Sequence, residues 1–547
     1  MSSRFSAETR EEVLAALPGE TLDVLVVGGG ITGAGVARDA ALRGLRTALV
    51  ERADFASGTS SRSSKLIHGG VRYLQQGDVG LVREAANERQ VLRKIAPHRT
   101  IPLRMVMPTY GRAMHAKLGV GLFMFEKIAT VPADERYDTW SKSESLAAEP
   151  CLDGTRLHGA VTFFEYLTDD ARLVLDTVKG AHRAGALCAN HTGVVGLRRD
   201  GAHTVVELQD ELPGRLTKRR VETRARIVVN AAGPWVDELR GMGGDRDKTR
   251  LHLTKGIHLV VRRERLPLRA IVVMQAEDRR SVFAVPRGEY VYLGTTDTDY
   301  GKPVDEPEVT LADATYLLAA ANRTFNGPPL RPSDVVAAWA GLRPLLHEEG
   351  KSPSEISRRD EILGDPASGM ISIAGGKLTT YRKMAERAVD LVCRALGVSR
   401  ASRSGDETLP GGELAPAALR ALTEALPSRV PGLGKAGAER LVFLYGAEAD
   451  ALATRAEREP DAARALAAEP PALVAEVLHA IESEMAMTLG DLLERRMRLL
   501  LFDAHQGLDA ADAVAALAAP RLGWDAARTA AELAAYRRLA ASLRSFA

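Results

Sequence analysis

The chain has 547 residues, 45% hydrophobic and 26% charged, which is ordinary for a globular protein with room for two to four domains. Lys+Arg 73 against Asp+Glu 71 leaves a net charge of +2. That surplus is too small for a dedicated nucleic-acid binder. Cys151, Cys188 and Cys393 form no CxxC pair, which excludes an iron–sulfur cluster, a Cys-rich zinc site and a disulfide framework.

In chain order, the N-terminus reads as lacking a signal peptide: its best apolar run, Val13–Leu17, follows Glu8, Glu11 and Glu12. No run approaches the ~18 apolar residues of a spanning helix. Leu22–Val27 is continuous and β-branched, which predicts a buried parallel strand. A helix is predicted over Gly33–Leu42, then strands at Arg46–Val50, Ala225–Val229 and Met370–Ala374, and a helix at Leu378–Val392. This alternation is an α/β pattern. Beyond residue 400 glycine thins out and alanine rises to 39 of 147 residues, which predicts a separate helical domain. Thr408–Gly412 reads as its linker. Charge divides at the same place, +7 before and −5 after. Anion chemistry is therefore expected in the first 400 residues.

Gly28-Gly29-Gly30-Ile31-Thr32-Gly33 follows the first strand and satisfies GxGxxG. Gly28 permits the tight turn, Gly30 lets a pyrophosphate approach, and Gly33 lets the helix pack on the strand. The helix N-terminus then faces the phosphates. Glu51, ending the second strand, is placed to accept from the ribose hydroxyls and to disfavour a 2′-phosphate. The pattern predicts a dinucleotide site.

Two features favour FAD over NAD. The loop Ser57–Gly70 (SGTSSRSSKLIHGG) runs on past the ribose acid and can line an extended cofactor. A second strand, Gly-Gly, helix turn at Ala374–Tyr381 can stabilise negative charge on a reduced flavin ring. Asn230–Gly233 is a further glycine turn of this kind.

Taken together, Asp23–Gly35, Gly58–Leu74 (GTSSRSSKLIHGGVRYL), Asp169–Leu175 (DDARLVL), Asn230–Trp235, Lys255–His258 (KGIH), Gly294–Asp297 (GTTD), Gly341–Pro344 (GLRP), Gly375–Arg382 (GGKLTTYR) and Thr488–Arg496 (TLGDLLERR) resemble the FAD-dependent glycerol-3-phosphate dehydrogenases. The resemblance covers nearly the whole chain in order. It implies an α/β FAD-binding domain of the glutathione-reductase and D-amino-acid-oxidase type, an α+β substrate cap and a C-terminal all-α domain. The expected boundaries are 18–85, 160–235 and 355–400 for the FAD domain, 86–159 and 236–354 for the cap, and 405–547 for the helical domain. Cofactor contacts are expected from Gly28, Gly30, Gly33, Glu51, Thr59, Ser60, Ser61, Lys65, His68, Gly69, Gly70, Ala232, Gly233, Gly376, Lys377, Leu378 and Thr379.

The implied substrate is sn-glycerol 3-phosphate and the product dihydroxyacetone phosphate, with the C2 hydride going to the flavin and the hydroxyl proton to a base. Arg343, Arg72, Tyr73 and Lys377 are the candidate phosphate or substrate contacts, arginine being favoured because its planar fork binds oxygens bidentately, and the match of GLRP to the family puts Arg343 foremost. His68 and His258 are both base candidates. His258 sits on an expected cap strand, Gly256–Val261, and is a candidate substrate contact as well.

Electrons are expected to leave for a membrane quinone. Arg112–Ile128 (RAMHAKLGVGLFMFEKI) joins cations to an apolar face and suits a membrane surface, or else packs as an ordinary cap helix. The expected location is cytoplasmic, on the inner face of the cell membrane, as a homodimer. The alternatives are an oxidase of the same substrate using O₂, an amine or amino-acid oxidase on the same fold, and a non-catalytic flavoprotein scaffold.

Overall fold

Val24, Leu25 and Val26 are fully buried because the strand that carries them is covered on both faces. Val24 and Val26 pack into a core with Ala34, Val36, Val174 and Met384, while Leu25 and Val27 pack with Val13, Val206 and Leu208. The computed structural model describes residues 4–70, 78–129, 131–214, 218–244, 251–305, 307–346, 361–364, 368–469 and 471–546. The chain begins its first sheet with β1 (Thr21–Val27), then α1 (Ile31–Leu42) and β2 (Thr47–Val50). Next come β3 (Leu66–Ile67), β4 (Ile101–Thr109), α2 (Arg112–Ile128) and β5 (Gly159–Leu167). Helix α3 (Asp170–Arg183) leads to β6 (Leu187–Ala189), and β7 (Arg220–Asn230) follows a hairpin. The second sheet continues through β8 (Leu251–Arg262), β9 (Ile271–Gln275), β10 (Ser281–Arg287), β11 (Tyr290–Gly294) and β12 (Val335–Leu346). The chain then returns to the first sheet with β13 (Met370–Ala374), followed by α4 (Tyr381–Leu396).

The first sheet runs β13-β7-β1-β2-β6, with every one of these pairs parallel. The four strands read from the sequence as its α/β pattern lie in it, and the expected cap strand Gly256–Val261 lies in the second sheet. The second sheet is mostly antiparallel. In it β8 lies between β11 and β12, and the order continues β10, β9, β4, β5, β3. β3 and all of β5 but Gly159 fall within ranges assigned from the sequence to the FAD domain, but β5 pairs with both β3 and β4 in the second sheet. The loop after β2 therefore crosses from one sheet to the other.

Helices from Pro416–Arg429 to Ala526–Ser542 form the C-terminal domain around two apolar cores. The Thr408–Gly412 stretch is not a free linker. Leu409 is fully buried and its N–H donates to Ile95 O at 2.8 Å, while Ala447 N–H donates to Gly411 O at 2.8 Å. Buried contacts fasten this domain to the rest: the ion pairs Arg172 with Glu484 (2.6 Å) and Arg496 with Asp54 (2.5 Å), and a hydrogen bond between His191 and Asp491 (2.9 Å). The DDARLVL segment supplies Arg172 to these pairs, and TLGDLLERR supplies Asp491 and Arg496. Among the described residues no helix is long and apolar enough to cross a membrane.

Candidate active site

The turn between β1 and α1 is built for close approach. Gly28 has φ +111°, and a Cβ there would lie 2.5 Å from Ala231 O. A Cβ on Gly33 would lie 1.9 Å from Gly28 O, so only glycine lets α1 begin against the strand. Glu51, at the end of β2, accepts from Gly29 N–H at 2.6 Å and from Ala53 N–H at 2.9 Å. Burial pushes its carboxyl up, against the pull of those two N–H groups. Ser60 reaches the same turn, its Oγ accepting Ile31 N–H at 2.9 Å.

A cleft of about 1600 Å³ opens on this turn. Gly28, Gly30, Glu51, Thr59, Ser60, Ala232, Gly233, Gly376, Lys377 and Leu378, all expected cofactor contacts, line it together. Such a cleft, with a glycine cradle, a helix N-terminus and an acid at the end of the second strand, fits a dinucleotide. Residues of the C-terminal domain, Thr488, Trp524 and Arg528 among them, line the same cleft, which nothing in their local sequence announces.

The loop after β2 packs on β12. Thr59 Oγ1 donates to Leu342 O at 2.6 Å, and a Cβ on Gly341 would meet Arg62 O at 2.8 Å. Three cross-strand pairs of β8 and β12 share the face turned to that loop: Thr254 with Arg343, Gly256 with Gly341, and His258 with Trp339. The segments KGIH and GLRP are thus two neighbouring strands, and His258 and Arg343 lie on one face.

Arg343 is held by Asp297 (3.0 Å), Thr295 Oγ1 (3.0 Å) and Thr296 O (3.2 Å), which accounts for the GTTD segment. His258 Nε2 lies 2.9 Å from Ser64 Oγ, and the imidazole stacks on Trp339 at 4.7 Å. Burial lowers its pKa well below 6.5, and the charges of Lys65 and Arg343 lower it further. The ring is therefore held neutral. His258 Nδ1, Trp339 Nε1 and Thr254 Oγ1 are buried with no hydrogen-bond partner among the described residues. Arg62, which packs over Gly341 on this face, and Ser63, beside Ser64, line the cleft, whereas Ser64, His258 and Arg343 do not.

Other expected contacts lie elsewhere. Lys65 is turned inward, its Nζ donating to Asp170 (2.9 and 3.0 Å) and Ser61 O (2.8 Å). Burial pushes it down to about 8 although Asp170 opposes this. Its ammonium is spent on holding the loop. Gly69 N–H donates to buried Glu165 (3.0 Å). His68 joins the second glycine turn through its backbone, its O accepting Thr379 Oγ1 at 3.2 Å. His68, Gly69, Gly70, Gly33, Ser61 and Thr379 support the cleft's walls rather than line it. Arg72 and Tyr73 lie outside the described residues. Sequence reasoning did not single out Ser64, Asp297 or Trp339. The first two lay in quoted segments, but nothing in the pattern marked Trp339.

A family model described as FAD dependent oxidoreductase matches residues 23–382, and one described as the C-terminal domain of alpha-glycerophosphate oxidase matches residues 402–529. Fold and site together define an FAD-dependent oxidoreductase, and its cofactor is FAD. The aerobic glycerol-3-phosphate dehydrogenase of Bacillus subtilis (strain 168) is 39% identical over 535 residues, covering 96% of each chain. That of Staphylococcus aureus (strain NCTC 8325 / PS 47) is 38% identical over 541 residues, covering 96% of this chain and 95% of the relative. The structure of the glycerol-3-phosphate dehydrogenase from Bacillus halodurans complexed with FAD superposes with a TM-score of 0.82 at 36% identity, covering 99% of both chains. The chain belongs to the aerobic, FAD-dependent glycerol-3-phosphate dehydrogenase family. The L-alpha-glycerophosphate oxidase of Mycoplasma pneumoniae shares the fold at 18% identity and a TM-score of 0.54, over 72% of this chain and 99% of that one.

Proposed function

We propose that the protein oxidises sn-glycerol 3-phosphate to dihydroxyacetone phosphate and passes the electrons to a quinone at a membrane surface. The observation that carries the first part is the pairing of Arg343 and His258 on one face of β8 and β12, beside the cofactor cleft. FAD, when bound, supplies the hydride acceptor. Arg343 binds the phosphate dianion through its planar guanidinium, sharing it with Asp297. His258 is neutral, and one ring nitrogen is engaged with Ser64. The other, Nδ1, takes the C2 hydroxyl proton. Anaerobic addition of glycerol 3-phosphate should bleach the flavin absorbance. An unbleached, FAD-loaded protein would overturn this reading.

The membrane part rests on α2. Val120 (60% exposed) lies three and four residues before Phe123 (50%) and Met124 (51%) and shares a face with them, with exposed Lys117 and Lys127 beside them. A basic, apolar helix surface of this kind suits an interfacial position. Phe123→Glu should release the protein from anionic vesicles without changing flavin bleaching. Reduction of a soluble quinone analogue, measured against H₂O₂ release in air, separates the dehydrogenase from the oxidase.

A further inference from the structure

Arg498, in the C-terminal domain, is buried and reaches out of its own domain. Its Nε donates to Asp169 Oδ2 at 2.9 Å and its Nη2 to Asp170 Oδ1 at 3.4 Å. Its Nη1 is anchored at home on Glu494 O at 3.1 Å. Asp170 in turn accepts from Ser63 N–H (3.0 Å), Ser63 Oγ (2.7 Å) and Lys65 Nζ. Between Ser63 and Lys65 stands Ser64. Its Oγ meets His258 Nε2, and its carbonyl accepts the Tyr292 hydroxyl at 3.0 Å. Asp169 also accepts from Arg287 Nη2 of the cap at 2.6 Å. Arg287 lies over the ring of Phe502, four residues after Arg498, at 3.9 Å.

Three parts of the chain therefore meet at two adjacent carboxylates. The first is the loop that holds His258, the second is the cap sheet, and the third is the helical domain. Docking of the helical domain does not depend on Arg498, because Arg172–Glu484, Arg496–Asp54 and Lys179–Glu448 are separate fastenings. What Arg498 adds is contact with the acid that fixes Ser63 and Lys65.

We propose that Arg498 is a positioning residue for the substrate face: through Asp170 it sets the Ser63–Lys65 loop, and so the Ser64 hydroxyl that orients His258. The helical domain thereby takes part in the reaction without touching substrate. This rests on the reading of His258 as the proton acceptor. Displacing a reacting group by about 1 Å can cost on the order of 100-fold in rate.

The test is anaerobic stopped-flow reduction of the flavin in full-length, FAD-loaded protein, with glycerol 3-phosphate varied to separate the limiting rate from substrate affinity. Arg498→Met should lower the limiting rate by roughly 10- to 100-fold with affinity within about twofold, and Arg498→Lys should recover part of the loss. Removing Arg498 leaves Asp169 with Arg287 as its remaining ion-pair partner, so the shape-conserving double variant Arg498→Met with Asp169→Asn is measured alongside. The Asp169→Asn change keeps a side-chain oxygen for the α3 N-terminus. Lys179→Met loosens the same domain elsewhere and should lower the melting temperature while the limiting rate stays normal. Normal limiting rates in the folded Arg498 variants, or an equal loss in Lys179→Met, would overturn the proposal. A normal rate in His258→Asn would overturn the reading beneath it as well. A slow His258→Asn beside normal Arg498 variants would overturn the role of Arg498 alone.

Discussion

His258 and Trp339 face one another across the β8–β12 pair, their rings stacked 4.7 Å apart with 11° between planes. Lys65 Nζ lies 4.6 Å from the centroid of the same indole. The imidazole is thus fixed by an aromatic plane and by Ser64, beside a buried cation that opposes its protonation. A base placed this way needs no deprotonation step at neutral pH. His258→Asn should slow flavin reduction by roughly 10²- to 10⁴-fold, the usual worth of a general base, while FAD content stays normal.

The same surroundings fix a pH dependence. Because burial, Lys65 and Arg343 hold the pKa of His258 below 6.5, the acid limb of flavin reduction in the wild type should fall below pH 6.5. Stopped-flow rates from about pH 5 to 8 would show it. A limb centred above 6.5 would contradict the assignment.

Arg343→Ala should raise KM strongly or abolish activity, while the purified protein stays yellow. The reason is that Arg343 is held by Asp297 and Thr295 on the cap sheet, away from the β1–α1 turn. Normal kinetics with glycerol 3-phosphate would remove it from the phosphate site. Arg343→Lys should recover little, since a point charge cannot reproduce the fork.

Gly33→Ala and Gly30→Ala should differ. The added methyl at 33 meets backbone, Gly28 O at 1.9 Å, and cannot be accommodated without moving the turn. At 30 it meets Ser60 Oγ at 3.1 Å, and that side chain can rotate. Flavin content after purification should be lost in the first and largely retained in the second.

His479 offers a stability test away from the active site. Burial works against its protonation, but the neighbouring carboxylates of Glu448 (3.6 Å) and Glu484 (3.4 Å) outweigh it, so its pKa is raised above 6.5 in the folded protein. The protonated ring therefore stabilises the fold fully below pH 6.5, and that contribution is lost as pH rises through the folded value. Thermal melts of wild type and His479→Asn should differ most below pH 6.5 and converge as pH rises through the folded value.

Much of the architecture was legible because local patterns carry it. A run such as Leu22–Val27 is apolar on both faces only when both will be buried, so the parallel sheet announced itself. GxGxxG followed by Glu51 marked the cofactor cleft, since only glycine tolerates the approach of Ala231 and Gly28 carbonyls found there. Arg343 and His258 were named from short segments, but not as neighbours. They are 85 positions apart, and only the pairing of β8 with β12 brings them together.

The opening balance of charge illustrates the division. A net +2, split into +7 and −5, was readable from composition, and it pointed to anion-handling chemistry before residue 400. What composition could not show was how the two parts use each other's charge. Arg172, Asp54 and Asp169 in the first part are each paired with Glu484, Arg496 and Arg498 in the second, all of them buried. Lys65 likewise reads as a polar loop residue, and only the fold turns it onto Asp170. Sequence alone determined the strands, the glycine turn and the cofactor class, because these depend on neighbours in the chain. Tertiary structure decided which charges are spent on packing and which face the cleft, because burying a charge depends on a partner that can lie hundreds of residues away.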